Sequence, residues 1–209
     1  AMVRKAVEYC RSRFLLDELL AEIKDANPRA YERFEGRLAL EGPPAPPEPG
    51  TLPDPGDLPP GSRIPFHRNA LFTGRVEPLL DLARALFHDG ASATVVTQAI
   101  QGMGGIGKTQ LAVEFAHRYG PFFHGVHWIA AAQPDLIPVE IAACGAKMLL
   151  PEWPDEQPRQ VERTLRAWQD GRSRLVILDN LERVDAAFHW LPQLAGSGVR
   201  LLLTARRSD

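Results

Sequence analysis

Gly102-Met103-Gly104-Gly105-Ile106-Gly107-Lys108-Thr109 follows a short apolar run, Thr94 to Ile100, and opens a stretch of helical character, Thr109 to Tyr119. It satisfies the pattern G-x-x-x-x-G-K-[ST] in the setting that gives the pattern its meaning, a strand before it and a helix after it. A chain of phosphates has to be wrapped by backbone N–H groups, and side chains would hold the backbone away. Glycines at 102, 104, 105 and 107 permit the close approach. Lys108 supplies a point charge for the β- and γ-phosphates, Thr109 offers a hydroxyl to magnesium, and the helix N-terminus adds partial positive charge. Average residue frequencies produce such a pattern by accident in on the order of one chain in a hundred of this length. Nucleotide binding is the expectation.

Working outward, the chain alternates helix and strand from Asn69 onward. Arg75 to Phe87 reads as helix, with Pro78 in its first turn and Leu79, Leu82 and Leu86 on one face. Apolar runs at Thr94–Ile100, Val126–Ala130, Leu175–Leu178 and Val199–Leu203 read as buried parallel strands. Helical stretches lie between them at Thr109–Tyr119, Leu136–Leu149 and Arg159–Gln169, with a shorter one near Val184–Leu191. This order predicts an α/β fold with a parallel sheet covered on both faces.

The run Arg174-Leu175-Val176-Ile177-Leu178-Asp179-Asn180 is an apolar strand ending in an acid. From the carboxyl end of a strand beside the phosphate loop, such a carboxylate holds magnesium, usually through water. Asp179 is therefore the candidate metal-side acid. The next residue is Asn180 and not a second acid, so no general base for water is evident; Glu182 is the nearest carboxylate. The last strand ends Leu203-Thr204-Ala205-Arg206. If it lies between the phosphate-loop strand and the Asp179 strand, Arg206 emerges where a guanidinium can sense or stabilise the γ-phosphate; otherwise Arg206 is a solvent-exposed tail residue.

Upstream, residues 1–41 read as a helical arm. Leu16, Leu19, Leu20 and Ile23 repeat at helical spacing, and Pro28 stops the run. About forty residues cannot bury a core alone, so the arm is expected to pack on something. Residues 42–65 hold ten of the chain's nineteen prolines. They read as a polyproline linker or strap that could span several tens of ångströms at about 3.1 Å per residue. Residues 66–209 then form the nucleotide-binding unit.

A formal charge of -2 over 209 residues gives no general attraction for nucleic acid or anionic lipid. Cys10 and Cys144 are too few for a disulfide framework or a clustered zinc site and are expected to be free thiols. No apolar run approaches the roughly 18 residues of a membrane span, and no secretory leader is visible, so a cytoplasmic protein is expected. Ala1 ahead of Met2 reads as a cloning remnant, which makes a chain cut from something longer the expectation.

Taken in order, Phe72-Thr73-Gly74-Arg75, the Gly102–Thr109 loop, Val126-His127-Trp128-Ile129-Ala130, Leu175-Val176-Ile177-Leu178-Asp179-Asn180 and Leu201-Leu202-Leu203-Thr204-Ala205-Arg206 resemble the NB-ARC domains of STAND signalling NTPases. The resemblance covers about residues 69–207 and implies a P-loop NTPase three-layer sandwich, with four strands here and the family's fifth strand and later regions missing. It implies that Phe72, Thr73, Gly74 and Arg75 lie against adenine and ribose. By it, Gly102, Gly104, Gly105, Ile106, Gly107, Lys108, Thr109 and Gln110 hold the phosphates, and Thr109 and Asp179 hold Mg2+. Lys108, Asp179 and Arg206 would be the catalytic or sensing set, Arg206 as the sensor arginine.

The implied cofactor is ATP, ADP or dATP with magnesium. The implied activity is a switch in which nucleotide exchange controls self-association of the full-length protein. Asn180 stands where the family commonly has a second acid, which argues for slow hydrolysis. Gln110 replaces a frequent Thr and would contribute its backbone N–H. The arm, with Val7-Glu8-Tyr9-Cys10-Arg11 and Leu16 to Ile23, resembles the last helices of a bacterial effector-associated domain of death-fold type. That implies an effector or adaptor protein as its partner.

Other readings of the same residues are a P-loop ATPase of another class in steady turnover, with Glu182 or a residue beyond this chain as base, and an interaction module in which nucleotide is only structural. His124 and His127 lack a third ligand and read as flanking a strand. Trp128 and Trp168 read as core. Trp153, between Pro151 and Pro154, is either a partner-facing anchor or a loop aromatic folded on its own surface.

Overall fold

The computed structural model describes residues 43–87, 97–100, 107–181, 190–194 and 198–205. The helical arm, most of the expected phosphate loop including Gly102, Gly104, Gly105 and Ile106, residues 182–189 with Glu182 and most of the expected helix Val184–Leu191, and Arg206 lie outside the described residues; Trp190 and a single helical turn, Leu191–Leu194, are described.

The described elements are α1 (Val76–Phe87), β1 (Thr97–Ile100), α2 (Lys108–Tyr119), β2 (Val126–Ala130), α3 (Ile137–Lys147), α4 (Gln157–Trp168), β3 (Arg174–Leu181) and β4 (Val199–Ala205). The four strands form one parallel sheet in the order β1-β4-β3-β2. Residues alternate between the faces of a strand, so a strand buried on both faces must be apolar at every position. That is the pattern of β3 from Leu175 to Leu178 and of β4 from Leu201 to Leu203. Leu175, Ile177 and Leu202 join Val126 and Trp128 in a core under α1 and α2. Val176, Leu178, Leu201 and Leu203 join Ile129 in a second core under α3 and α4. The result is helix on sheet on helix, the layering that the alternation of elements predicts.

Trp128 and Trp168 are fully buried. Trp153 is folded onto its own surface: a Cβ added at Gly145 of α3 would collide with its ring and with the Thr164 hydroxyl of α4. The missing side chain at Gly145 is thus what lets α3, α4 and the intervening loop close together.

The Pro-rich stretch is a strap over residues 51–64. Arg63 forms an isolated parallel bridge with the outer edge of β2: its N–H donates to Val126 O at 2.8 Å, and Trp128 N–H donates to Arg63 O at 2.8 Å. An edge strand otherwise presents unpaired backbone groups, and a proline-rich cover satisfies some of them without becoming a strand open to further pairing. Ser62 Oγ accepts from Val126 N–H, and the Arg63 guanidinium donates to Trp128 O and to Glu140 at 2.7 Å. Earlier in the strap, Gly56 N–H donates to His117 O, the Tyr119 hydroxyl donates to Thr51 O, and Arg118 donates to Pro53 O. Leu52, Leu58 and Ile64 pack against the core beneath α1 and α2.

Just after the strap, Arg68 reaches Glu114 of α2. That carboxylate is 1% exposed and receives Arg68 Nε and Nη2 at 2.9 Å each and Arg118 Nε at 2.7 Å. Two guanidiniums on one carboxylate supply the partners that a buried charge requires.

Candidate functional site

The carboxyl ends of parallel strands are where an α/β sheet binds ligands, because the loops that leave them diverge there. At that end the structure brings together α2, β3 and β4. Gly107 caps α2 in the left-handed conformation, φ 71°, which a glycine takes without steric cost. Lys108, Thr109 and Gln110 form the first turn of the helix. The Thr109 hydroxyl lies 3.0 Å from Asp179 Oδ1 and 3.2 Å from Oδ2, although 70 residues separate the two in sequence. The carbonyl of Asp179 accepts from Ala131 N–H at 2.7 Å, which fixes the acid at the end of β2 as well.

β4 lies between β1 and β3, the position from which Arg206 was expected to emerge at the phosphates; Arg206 itself is beyond the described residues. Of the Phe72–Arg75 group, Phe72 packs against the core beneath α1 and α2, while Thr73 and Gly74 are exposed. Arg75 comes to the start of α2: a Cβ built on Gly107 would be 3.7 Å from its Nη2. Gln110 carries a buried side-chain Oε1 with no hydrogen-bond partner among the described residues.

Asn180 departs from ordinary strand geometry, with φ 64°. The register between β3 and β4 pairs Leu178 with Leu203 and then Leu181 with Ala205, so Asp179 and Asn180 face the single residue Thr204. This is a bulge, and a bulge strands a backbone N–H outside the ladder. Thr204 takes it: Asn180 N–H donates to Thr204 Oγ1 at 2.8 Å, and the Thr204 hydroxyl in turn donates to Asp179 Oδ1. The sequence pattern alone assigns Thr204 no role; its one mark is a hydroxyl residue that ends the apolar run Leu201-Leu202-Leu203.

Among the described residues no group of three or more His, Cys, Asp or Glu could hold a metal ion. His127, on β2, is completely buried against Trp168 with neither ring nitrogen hydrogen-bonded, and burial, helped by the nearby Arg174 charge, pushes its pKa down to about 3. It is a neutral core residue at physiological pH. The Cys144 thiol is buried and unbridged, its pKa pushed up to about 12 by desolvation against the opposing pull of Arg63. It does not ionise near neutrality. Among the described residues no helix is long and apolar enough to cross a membrane.

No protein-family model matches the chain. Among curated proteins it is similar to Regulatory protein AfsR of Streptomyces coelicolor, with 35% identity over 157 aligned positions that take in 65% of this chain. The chain spans only 14% of that relative's length. The similarity is to one part of a regulatory protein.

Proposed function

We propose that this chain is the ATP/ADP-binding switch module of a STAND-type signalling regulator built on a P-loop NTPase domain. The observation that carries the reading is the pairing of Thr109 with Asp179 at 3.0 Å, at the head of a helix that follows a glycine-rich loop and at the carboxyl end of a parallel sheet. A chance glycine-rich turn would not require a strand-end acid to meet the residue after its lysine. The similarity to a regulatory protein supports a signalling role over a metabolic one.

Magnesium fits this donor set. Hydroxyl and carboxylate oxygens are the hard ligands it prefers, and a Thr109 hydroxyl that donates its proton to Asp179 keeps lone pairs for a cation. When bound, the ion would neutralise phosphate charge. Lys108 would hold the β- and γ-phosphates, and the first N–H groups of α2 the phosphate oxygens. Phe72 to Arg75 would border the base and ribose, with Arg75 near enough to Gly107 to approach the phosphates as well. Asn180 supplies no carboxylate next to Asp179, so turnover is slow and the bound nucleotide acts as a state marker. Exchange would then govern self-association of the full-length protein and recruitment of an effector or adaptor through residues 1–41.

The test is the identity of nucleotide released from the purified protein on denaturation, read by mass spectrometry, together with light scattering with and without ATP. ADP or ATP is expected near one per chain, with Lys108→Ala empty. No nucleotide in either preparation, and no binding of added ATP, would overturn the reading. Fast steady hydrolysis by the intact protein would replace the switch with an ordinary ATPase.

A further inference from the structure

We infer that Thr204 is a positioning residue for the magnesium site: it fixes the carboxylate of Asp179 so that the Thr109–Asp179 pair can hold a hydrated divalent cation. This rests on the nucleotide reading above and adds to it a residue on β4 that acts through Asp179.

The argument is one of hydrogen-bond supply. Asp179 has two oxygens with about four lone-pair directions. Oδ1 takes the Thr204 hydroxyl and the nearer approach of Thr109, while Oδ2 has, among the described residues, only the longer Thr109 contact at 3.2 Å. The carboxylate is therefore held by one oxygen and presents the other. Thr204 can give its proton to Oδ1 because its own lone pair is engaged by Asn180 N–H, which sets the rotation of the hydroxyl. Both bonds depend on the bulge, since only there does one residue of β4 face two of β3. Thr204 is 1% exposed, so water cannot substitute for either partner at low cost. A site of this kind depends on its outer partners, because an acid free to rotate has to be reoriented each time the ion binds.

Thr204→Val keeps the shape and removes the hydroxyl; Thr204→Ser restores it. Binding of a fluorescent ATP analogue by the full chain, measured in EDTA and then over a rising MgCl2 series, separates a metal role from a fold role. For Thr204→Val the MgCl2 concentration at half effect is expected to rise about tenfold to a hundredfold, with Thr204→Ser close to wild type. On an Asp179→Asn background the same Val substitution is expected to produce no further change, since the carboxylate it serves is gone. A Val variant with the wild-type MgCl2 midpoint, or one that loses binding equally in EDTA and in MgCl2, would overturn the assignment while leaving the nucleotide reading in place. A wild-type protein that binds the analogue without any response to MgCl2 would overturn the metal site and the Thr204 role together. If the Val variant does not fold by circular dichroism, Thr204→Cys, of similar size and a far weaker donor, carries the same test.

Discussion

The strap side of the sheet and the Asp179 corner both tie together segments far apart in sequence, and they do it with opposite chemistry. At the strap, Glu114 is held by two arginines, so its charge is cancelled within the protein. At the corner, Asp179 is held by the hydroxyls of Thr109 and Thr204, which orient a carboxylate without cancelling its charge. Ion pairing uses up a charge, whereas hydroxyl bonding keeps it available for a cation. The first arrangement suits a fastening and the second a binding site, although both acids are buried.

The largest test of that contrast is Glu114→Ala. It removes the acceptor shared by Arg68 and Arg118 and leaves two guanidiniums facing each other near the strap. Breaking a fully buried pair costs about 3–5 kcal/mol; with Arg68 and Arg118 still partly in water, about 2–3 kcal/mol is expected. Urea unfolding should show a lower midpoint with an unchanged slope, and the MgCl2 midpoint for nucleotide should not move. A variant of wild-type stability would mean the strap is not fastened there, and a shifted MgCl2 midpoint would mean the two regions are not separate.

Acid acts on the edge strand that the strap covers, through His127 of β2, whose ring packs against Trp168 of α4. Its pKa is about 3 when folded and near 6.5 when unfolded, so below pH 6.5 the unfolded chain takes up a proton that the folded chain refuses. The folded pKa is depressed; the stability it represents is complete above the unfolded value and is lost as pH falls toward 3. Between pH 7.5 and pH 5 the loss is about 2 kcal/mol from this residue. His117 and His124, also lowered mainly by burial, act in the same direction. Thermal unfolding across this range should show the decline, and His127→Leu should flatten it. A slope that survives the substitution would assign the acid sensitivity to other groups.

The two regions also differ in how far the sequence betrays them. The meeting of Asp179 with Thr109 is legible because an apolar strand ending in an acid, in a chain with a glycine-rich loop before a helix, points to the end of that helix. The extents of α1, α2 and β2 followed from apolar periodicity to within about two residues. The strap was legible only as a composition. Proline content says that residues 42–65 cannot form helix or ladder, and it says nothing about what they lie on. Their attachments run largely through backbone groups, Arg63 N–H and O and Gly56 N–H, whose partners are set by tertiary packing. Glu114, Arg68 and Arg118 looked like ordinary charged residues, because a charge buried by its partners has no mark of its own in a single sequence. Thr204 was hidden for a related reason: its role exists only because β3 bulges opposite it, and a bulge of one residue leaves the apolar pattern of β3 intact through Leu178.

The smallest expected effect tests whether that bulge is a feature of the backbone or of the acid. Asn180 sits at φ 64°, a left-handed conformation that costs most residues about 1 kcal/mol or more and asparagine less, because its short side chain is tolerated there. Asn180→Gly removes the remaining steric cost but adds freedom to the unfolded chain, so the two changes should nearly cancel and leave stability within about 0.5 kcal/mol of wild type. Asn180→Ala has no such relief and should lose about 1 kcal/mol. If instead the Asp179 and Thr204 bonds alone force the turn, the substitution of Asp179 by Ala would relax it. Asn180→Ala on that background would then cost nothing, whereas a backbone-encoded bulge keeps the same 180 penalty whether or not the acid is present. Urea midpoints of the two single variants and the double decide between them, and with that whether the left-handed turn at Asn180 is set by its own backbone or by the hydrogen bonds of Asp179.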